Sequence, residues 1–314
     1  MSLKIIFMGT PEFAVHALKA IISTKHKVTR IVTTTDKPAG RGKQIKTSSV
    51  KQFALDKGIP LLQPNNLKDT AFIRELEKLQ ADVFVVVAFR MLPKVVWSIP
   101  PKGTFNLHAS LLPNFRGAAP INWAIIKQEK NTGVTSFLID EQIDTGNILC
   151  SSSIKTDPRE TAGTLHDKLA NLGGEVIVLT LNGLEKNQLK PKPQKLLGTE
   201  YSAPKLTKEN TRIDWKKSGE EIDAFIRGLS PYPAAWTELI SQTTIITIKI
   251  YEVEFVKLKH SHIPGRLIIE QKSLQIALTD GLLNIIELQL PNKKRLKTAD
   301  LLNGYRFEPS SSVK

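Results

Sequence analysis

Along the first third of the chain, apolar residues fall in short unbroken runs rather than in strict alternation. Lys4 to Met8, Val28 to Thr35, Ala81 to Phe89 and Thr104 to His108 each carry such a run. Runs of this kind suit strands that are covered on both faces. Between them, apolar positions recur at helical spacing over Phe13 to Ser23, Ser49 to Lys57, Asp69 to Leu79 and Ala118 to Lys127. Strand alternating with helix predicts an α/β fold, a doubly wound, mostly parallel Rossmann-like sheet. The first turn reads Gly9-Thr10-Pro11-Glu12, which predicts Thr10 as a helix N-cap and Pro11 at the first helical position. A lone glycine there is far short of a dinucleotide fingerprint.

Thr132 to Asp140 and Asn147 to Ile154 read as a β pair, and residues 160 to 183 as a long helix. The pattern then breaks. Pro191, Pro193 and Pro204, interleaved with lysines, predict a basic linker over 185–206 between a catalytic domain at 1–184 and a C-terminal domain at 207–314. In that last part Ser218-Gly-Glu-Glu221 is a capping-box start to one helix ending near Gly228. The rest resembles short strands: Trp236 to Ile240, Thr243 to Lys257, Gly265 to Ile269, Leu274 to Thr279 and Leu283 to Leu290. Ile246, Ile248 and Ile250 share one parity, whereas Tyr251, Val253 and Phe255 take the other, so a bulge or bend near 250 is predicted. Short antiparallel strands with a corner suggest a smaller β-barrel of the OB-like kind.

Charge and cysteine content narrow the class. The 314 residues carry a net charge of +14, of which +11 falls in residues 1–206 and +3 in 207–314. This excess fits a polyanionic partner or, less specifically, a lysine-rich proteome, and basicity alone does not decide between them; the basic signal lies outside the predicted barrel. Lys293-Lys294-Arg295 with Lys297 is a local patch that a solvated turn explains as well as an RNA contact does. The single cysteine, Cys150, allows no internal disulfide and no zinc cluster, so a reducing compartment and no structural metal are expected. No apolar run reaches the length of a membrane span and no signal peptide is evident, so the chain is expected to be cytoplasmic, without a membrane partner.

Candidate chemistry gathers at 105–117, Phe-Asn-Leu-His-Ala-Ser-Leu-Leu-Pro-Asn-Phe-Arg-Gly. Asn106 and His108, two apart at a strand end, share one face of the sheet, at the edge where α/β enzymes bind ligands. Ser110 to Pro113 makes an abrupt exit whose backbone can line a ligand. Asp144, in Ile143-Asp-Thr-Gly146 between the strands of the β pair, supplies a carboxylate that could hold His108. Ahead of the second helix, Asp36-Lys-Pro-Ala-Gly-Arg-Gly-Lys-Gln-Ile-Lys46 is long and polar for a loop that merely turns the chain. Its Gly42-Lys43 is followed by Gln44 and lacks a correctly spaced first glycine, which excludes a P-loop.

Asn-x-His-x-Ser-Leu-Leu-Pro at 106–113 and Asp-Thr-Gly at 144–146 resemble the folate-dependent formyltransferases, and the likeness extends from the first strand to the C-terminus. Pro-Ala-Gly-Arg-Gly-Lys at 38–43 is similar to an insertion found in the branch that formylates methionyl-initiator tRNA. The resemblance implies transfer of the formyl group of 10-formyltetrahydrofolate to the α-amino group of that charged tRNA, a step of translation initiation, by a metal-free monomer. Asn106, His108 and Asp144 are then the catalytic residues. Asn106 and protonated His108 would stabilise a developing oxyanion at roughly 3 kcal/mol per donor, and Asp144 would support the imidazolium and relay a proton. Ser110, Leu111, Leu112 and Pro113, with Phe89, Arg90, Met91 and Leu92, would hold the folate, and Lys37, Arg41 and Lys43 would contact tRNA. Two departures stand out. Arg90 replaces the family's usual small residue and could reach solvent or the folate's acidic tail, while Thr34-Thr35 replaces Gln-Pro before the basic loop. Transfer to a small amine or nucleotide sugar, or hydrolysis of the folate itself, is the alternative reading, and a catalytically dead RNA-binding homologue is a third.

Overall fold

The structure is a computed structural model that describes residues 2–39, 44–242, 244–308 and 310–314. The chain opens with Lys4–Gly9 (β1), Glu12–Ile22 (α1) and Lys27–Val32 (β2), followed by the short strands Lys37–Ala39 (β3) and Gln44–Lys46 (β4). Ser49–Asp56 (α2), Leu61–Leu62 (β5), Thr70–Lys78 (α3), Val83–Val87 (β6), Lys94–Trp97 (α4) and Thr104–His108 (β7) come next. Arg116–Gly117 (β8), Pro120–Ile126 (α5), Asn131–Leu138 (β9), Ile148–Lys155 (β10) and Ala162–Glu185 (α6) complete the first 185 residues. The remainder comprises Ser202–Ala203 (β11), Gly219–Leu229 (α7), six strands at Ala235–Ile240 (β12), Ile245–Lys257 (β13), Leu267–Glu270 (β14), Ser273–Ala277 (β15), Gly281–Gln289 (β16) and Arg295–Lys297 (β17), then Thr298–Leu302 (α8) and Ser312–Val313 (β18).

Two compact units result. The first takes residues 1–120, 131–155 and 166–202; the second takes 121–130, 156–165 and 203–314. In the first unit one sheet runs β10-β9-β7-β6-β1-β2-β5, parallel from β7 to β5 and antiparallel at β9 and β10. Strand order moves outward from β1 through β2 to β5 and then returns to β6 on the other side of β1. That reversal leaves a crevice beyond the carboxyl ends of the strands, where such sheets bind ligands.

Both faces are covered, which explains the unbroken apolar runs. On one face Ile6, Met8, Phe84 and Val86 pack with Phe72, Leu76 and Val96 from α3 and α4. On the other, Leu107 lies so close to α6 that a Cβ on Gly173 would come within 2.7 Å of its side chain. Because alternate residues of a strand face opposite sides, Asn106 and His108 point away from α6.

Local chemistry starts the helices, with one correction. Ser48 accepts a hydrogen bond from Lys51 N–H at the start of α2, and Asp69 accepts one from Ala71 N–H at the start of α3. Thr10 does not cap α1. Pro11 takes the N-cap position with extended backbone and no side-chain bond, and the Thr10 hydroxyl is buried without a partner. The stretch expected to be a loop at 36–46 contains two short strands. β3 and β4 pair antiparallel, Lys37 opposite Lys46. At the start of the stretch Asp36 accepts from Lys51 Nζ at 2.5 Å and from Gln63 at 3.0 Å, and those bonds hold its carboxyl below the usual carboxylate range.

The second unit is antiparallel. Its strands run β14-β15-β16-β13-β12-β18, with β17 against β16. The two ends of that series meet where Val313 N–H donates to Gly265 O at 2.9 Å and Leu267 N–H donates to Ser311 O at 3.1 Å, so the sheet closes as a barrel. The β13–β16 register slips on either side of Glu252, which is the bend that the change of apolar parity predicts. α7 begins with a complete capping box of Ser218 and Glu221 and seals the barrel interior with Ile222, Ile226 and Leu229.

Candidate functional site

β7 ends in the sequence-predicted pair. Val86 lies beside Asn106 on one side and Phe137 on the other, so the amide is held at mid-sheet on the α3–α4 face. Asn106 is half-buried, and His108 is buried. Ring Nε2 of His108 is 2.8 Å from Phe115 O. A carbonyl can only accept, so this nitrogen carries the proton and Nδ1 is the ring atom turned toward Asp144. Nδ1 lies 3.7 Å from Asp144 Oδ2, an ion-pair distance for the imidazolium and too long for a hydrogen bond. The two residues are brought together across 36 positions of sequence, and one ring nitrogen is already engaged by the main chain.

Asp144 reaches His108 from the loop between β9 and β10. Its backbone is left-handed, φ 56°, and its Oδ2 also accepts from Gly117 N–H at 2.9 Å. Two residues on, Gly146 passes so close to β9 that a Cβ would stand 1.7 Å from Leu138 O. Only glycine permits that approach, which accounts for the Asp-Thr-Gly order. Gln194 grips the same loop. Its Nε2 donates to Asp144 O and Gly146 O, both at 2.9 Å, and its Oε1 accepts from Arg116 Nη2 at 2.6 Å and Nε at 3.1 Å.

The turn after β7 is fixed from within. Thr135, wholly buried on β9, donates to Ser110 O at 2.7 Å and accepts from Leu112 N–H at 3.1 Å, while Ser110 Oγ donates to Asn114 O at 2.6 Å. The Leu112-Pro113 peptide is cis, and Phe115 follows with φ 59°. Phe115 N–H donates to Tyr201 O at 2.7 Å and its ring stacks on the Tyr201 ring.

Arg90, Met91 and Leu92, beyond β6, line an open hollow of about 960 Å³ together with residues 65–68, 93–95 and Ser98. Phe89 and Ser110 to Pro113 are not among its lining residues. The Arg90 guanidinium turns inward, donating to Pro64 O at 2.7 Å and Asn65 O at 3.1 Å, and burial pulls it below its ordinary value. Its Nε is buried without a partner. Arg90 therefore ties the β6 exit to the segment ahead of α3 rather than pointing into solvent. Of the three basic candidates, Lys37 lies on β3, and Arg41 and Lys43 fall outside the described residues. Among the described residues no group of three His, Cys, Asp or Glu is placed to share a metal ion, and no helix is long and apolar enough to cross a membrane.

Comparison with known proteins identifies the family. The family model described as formyl transferase covers residues 3–181, and that of the formyl transferase C-terminal domain covers 205–306. The chain belongs to the formyl transferase family. A relative from Flavobacterium johnsoniae, named methionyl-tRNA formyltransferase, is 52% identical to this formyl transferase over 311 residues, 99% of each chain. One from Bacteroides fragilis with the same name is 46% identical over 317 residues, 99% of this chain and 98% of its own. Among solved structures, HypX from Aquifex aeolicus in complex with tetrahydrofolic acid matches 96% of this formyl transferase with TM-score 0.66 at 17% identity. The match takes in 47% of HypX, so this chain spans about half its length. An N-formyltransferase from Helicobacter canadensis, in complex with folinic acid and dTDP-3-aminofucose, matches 90% of this chain and 98% of its own with TM-score 0.66 at 20% identity. At those identities the likeness is one of fold.

The motif residues were visible in sequence, but their supports were not. Thr135, Phe115, Gly117 and Gln194 act through backbone atoms, or upon them, across 7 to 50 positions of sequence. No periodicity marks such residues.

Proposed function

We propose that this formyl transferase moves the formyl group of 10-formyltetrahydrofolate to the α-amino group of methionyl-initiator tRNA, in translation initiation. The observation that carries the reading is the His108–Asp144 pair on the same sheet edge as Asn106, within a chain about half identical over its whole length to relatives named for that reaction.

The hollow beyond β6 fits a flat ligand with an acidic tail. Leu67, Leu92 and Val95 give apolar walls, and Lys68 adds a cation, while Arg90 is engaged by Pro64 O and Asn65 O and Lys94 by Glu141. In this reading backbone groups of Arg90 to Leu92 hold the ligand within the hollow, and those of Phe89 and Ser110 to Pro113, which do not line it, meet the ring system outside it. When bound, the folate supplies the formyl group and takes a proton at the nitrogen from which that group departs. Asn106 Nδ2 donates to the formyl oxygen as that atom gains negative charge, a contribution of about 3 kcal/mol. His108 acts from Nδ1, since Phe115 O holds the Nε2 proton in place. Asp144 Oδ2 stabilises the imidazolium while the amine proton is received, directly or through a water, and passed to the leaving nitrogen. Acid–base help of this kind is worth about 10²- to 10⁴-fold. The chemistry needs no metal, so chelators leave the rate unchanged.

Arg41, Lys43 and Lys37 grip the acceptor end of the tRNA in this reading, in a segment that Asp36, Lys51 and Gln63 brace at its start. The deciding experiment incubates the protein with labelled 10-formyltetrahydrofolate and either charged initiator tRNA or free methionine. Label in the tRNA alone is the expected result; efficient labelling of free methionine, or release of formate without an acceptor, assigns the small-amine or hydrolytic alternative. His108→Ala and Asp144→Ala each lower kcat by more than tenfold. A smaller loss in either overturns its role in proton transfer.

A further inference from the structure

Gln194 stands in a stretch of prolines and lysines that reads as a spacer, yet its amide uses its full hydrogen-bonding capacity on the site. Oε1 accepts two bonds from Arg116, and Nε2 donates one each to Asp144 O and Gly146 O. Two neighbouring contacts hold it in register. Lys192 and Ile148 exchange both backbone bonds, at 2.8 and 2.9 Å, where the loop enters β10. Arg116 adjoins Gly117, whose N–H binds the Asp144 carboxylate. One side chain thus spans the two segments that set Asp144: the loop that carries it, and the strand that orients its oxygen.

We infer that Gln194 is a positioning residue for formyl transfer, fixing the left-handed Asp144 backbone so that Oδ2 stays within ion-pair distance of His108 Nδ1. The inference rests on the role proposed above for Asp144. A loop residue with φ 56° and no glycine freedom relaxes readily when its carbonyl is released, and the carboxylate swings with it. Gln194→Leu keeps the bulk of the side chain and removes all four bonds. Gln194→Glu keeps the two acceptor bonds to Arg116 but turns a carboxylate oxygen toward two carbonyls, so it isolates the donor arm.

The test measures kcat and KM for folate and for charged tRNA, with the pH profile of kcat, in wild type, Gln194→Leu, Gln194→Glu, Asp144→Ala and the Asp144→Ala, Gln194→Leu double variant. Both Gln194 variants lower kcat about tenfold with both KM values unchanged, and the pH profile of kcat shifts. In the Asp144→Ala background Gln194→Leu costs no further activity, because there is no carboxylate left to position. A general loosening of the fold would instead add its loss in both backgrounds and raise KM. Wild-type kcat in Gln194→Glu, or additive losses in the double variant, overturns the inference while leaving the mechanism standing. Wild-type kcat in Asp144→Ala overturns the mechanism itself.

Discussion

Replacing Gly146 by alanine tests whether the placement of Asp144, rather than its mere presence, sets the rate. An alanine Cβ would sit 1.7 Å from Leu138 O and 2.9 Å from Leu138 C. Ordinary contact begins near 3.4 Å, so one backbone must retreat by about 1.7 Å. Leu138 cannot supply the movement cheaply. It lies on β9, is paired with Phe105 of β7, and donates its own N–H to Asn147 O at 2.9 Å. The loop is the softer partner, and it carries Asp144 two residues away. A displacement of about 1 Å at a reacting group costs on the order of 10²-fold in rate, so Gly146→Ala should reduce kcat by about that factor. KM for charged tRNA should stay within twofold. Single-turnover transfer from labelled 10-formyltetrahydrofolate, at saturating folate and tRNA, isolates the chemical step, and circular dichroism confirms that the sheet persists. A Gly146→Ala protein that transfers formyl within threefold of the wild-type rate would show that the loop adjusts without moving the carboxylate, and the geometric argument would fail.

Thr135→Val keeps shape but strands Ser110 O and Leu112 N–H in the interior, so stability should fall by about 2–4 kcal/mol in urea denaturation, against near-neutrality if water enters to replace the hydroxyl. Glu185, paired with Lys25 at 2.8 Å, has its carboxyl pulled down from 4.5 to about 2. Its folded value lies below its unfolded one, so the pairing contributes fully above pH 4.5 and fades as pH falls toward 2; Glu185→Gln should flatten the decline in urea midpoint across that window, and parallel curves would refute it. Arg41→Ala with Lys43→Ala should raise KM for charged tRNA and make the salt dependence of tRNA affinity shallower by about 0.7 to 0.9 per lost phosphate contact, with folate affinity unchanged. Equal salt slopes in both proteins would assign Arg41 and Lys43 no role in gripping nucleic acid.

What could be read in advance follows from the range of each interaction. The capping box of Ser218 and Glu221 spans three residues, and the parity change from Ile250 to Tyr251 spans one, so both were visible as patterns and both occur. Asn106 and His108 could be set on one face because a strand has a period of two. Thr10 misled for a local reason: Pro11 adopts an extended conformation one residue later than the pattern suggests, leaving the threonine hydroxyl turned inward. The β3–β4 arms were hidden by proline and glycine, which argue against strands wherever tertiary contacts are unknown. Gln194 is the extreme case. Its partners lie 48 to 78 positions away, and all four of its bonds depend on where a backbone carbonyl or a guanidinium happens to stand after folding.

The interleaving of the two units bears on how the protein is made. Residues 121–130 and 156–165 belong to the second unit, where Ile126 packs against the barrel core of Ile248, Ile285 and Leu288. During synthesis those segments emerge long before β13 and β16 exist. At translation speeds of 5–20 residues per second, Ile126 waits on the order of ten to thirty seconds for its neighbours. For that interval an apolar helix end is exposed on the nascent chain, open to chaperone binding or to aggregation. A chain released early, at residue 206 for instance, would carry the intact Asn106, His108 and Asp144 and still never bury it.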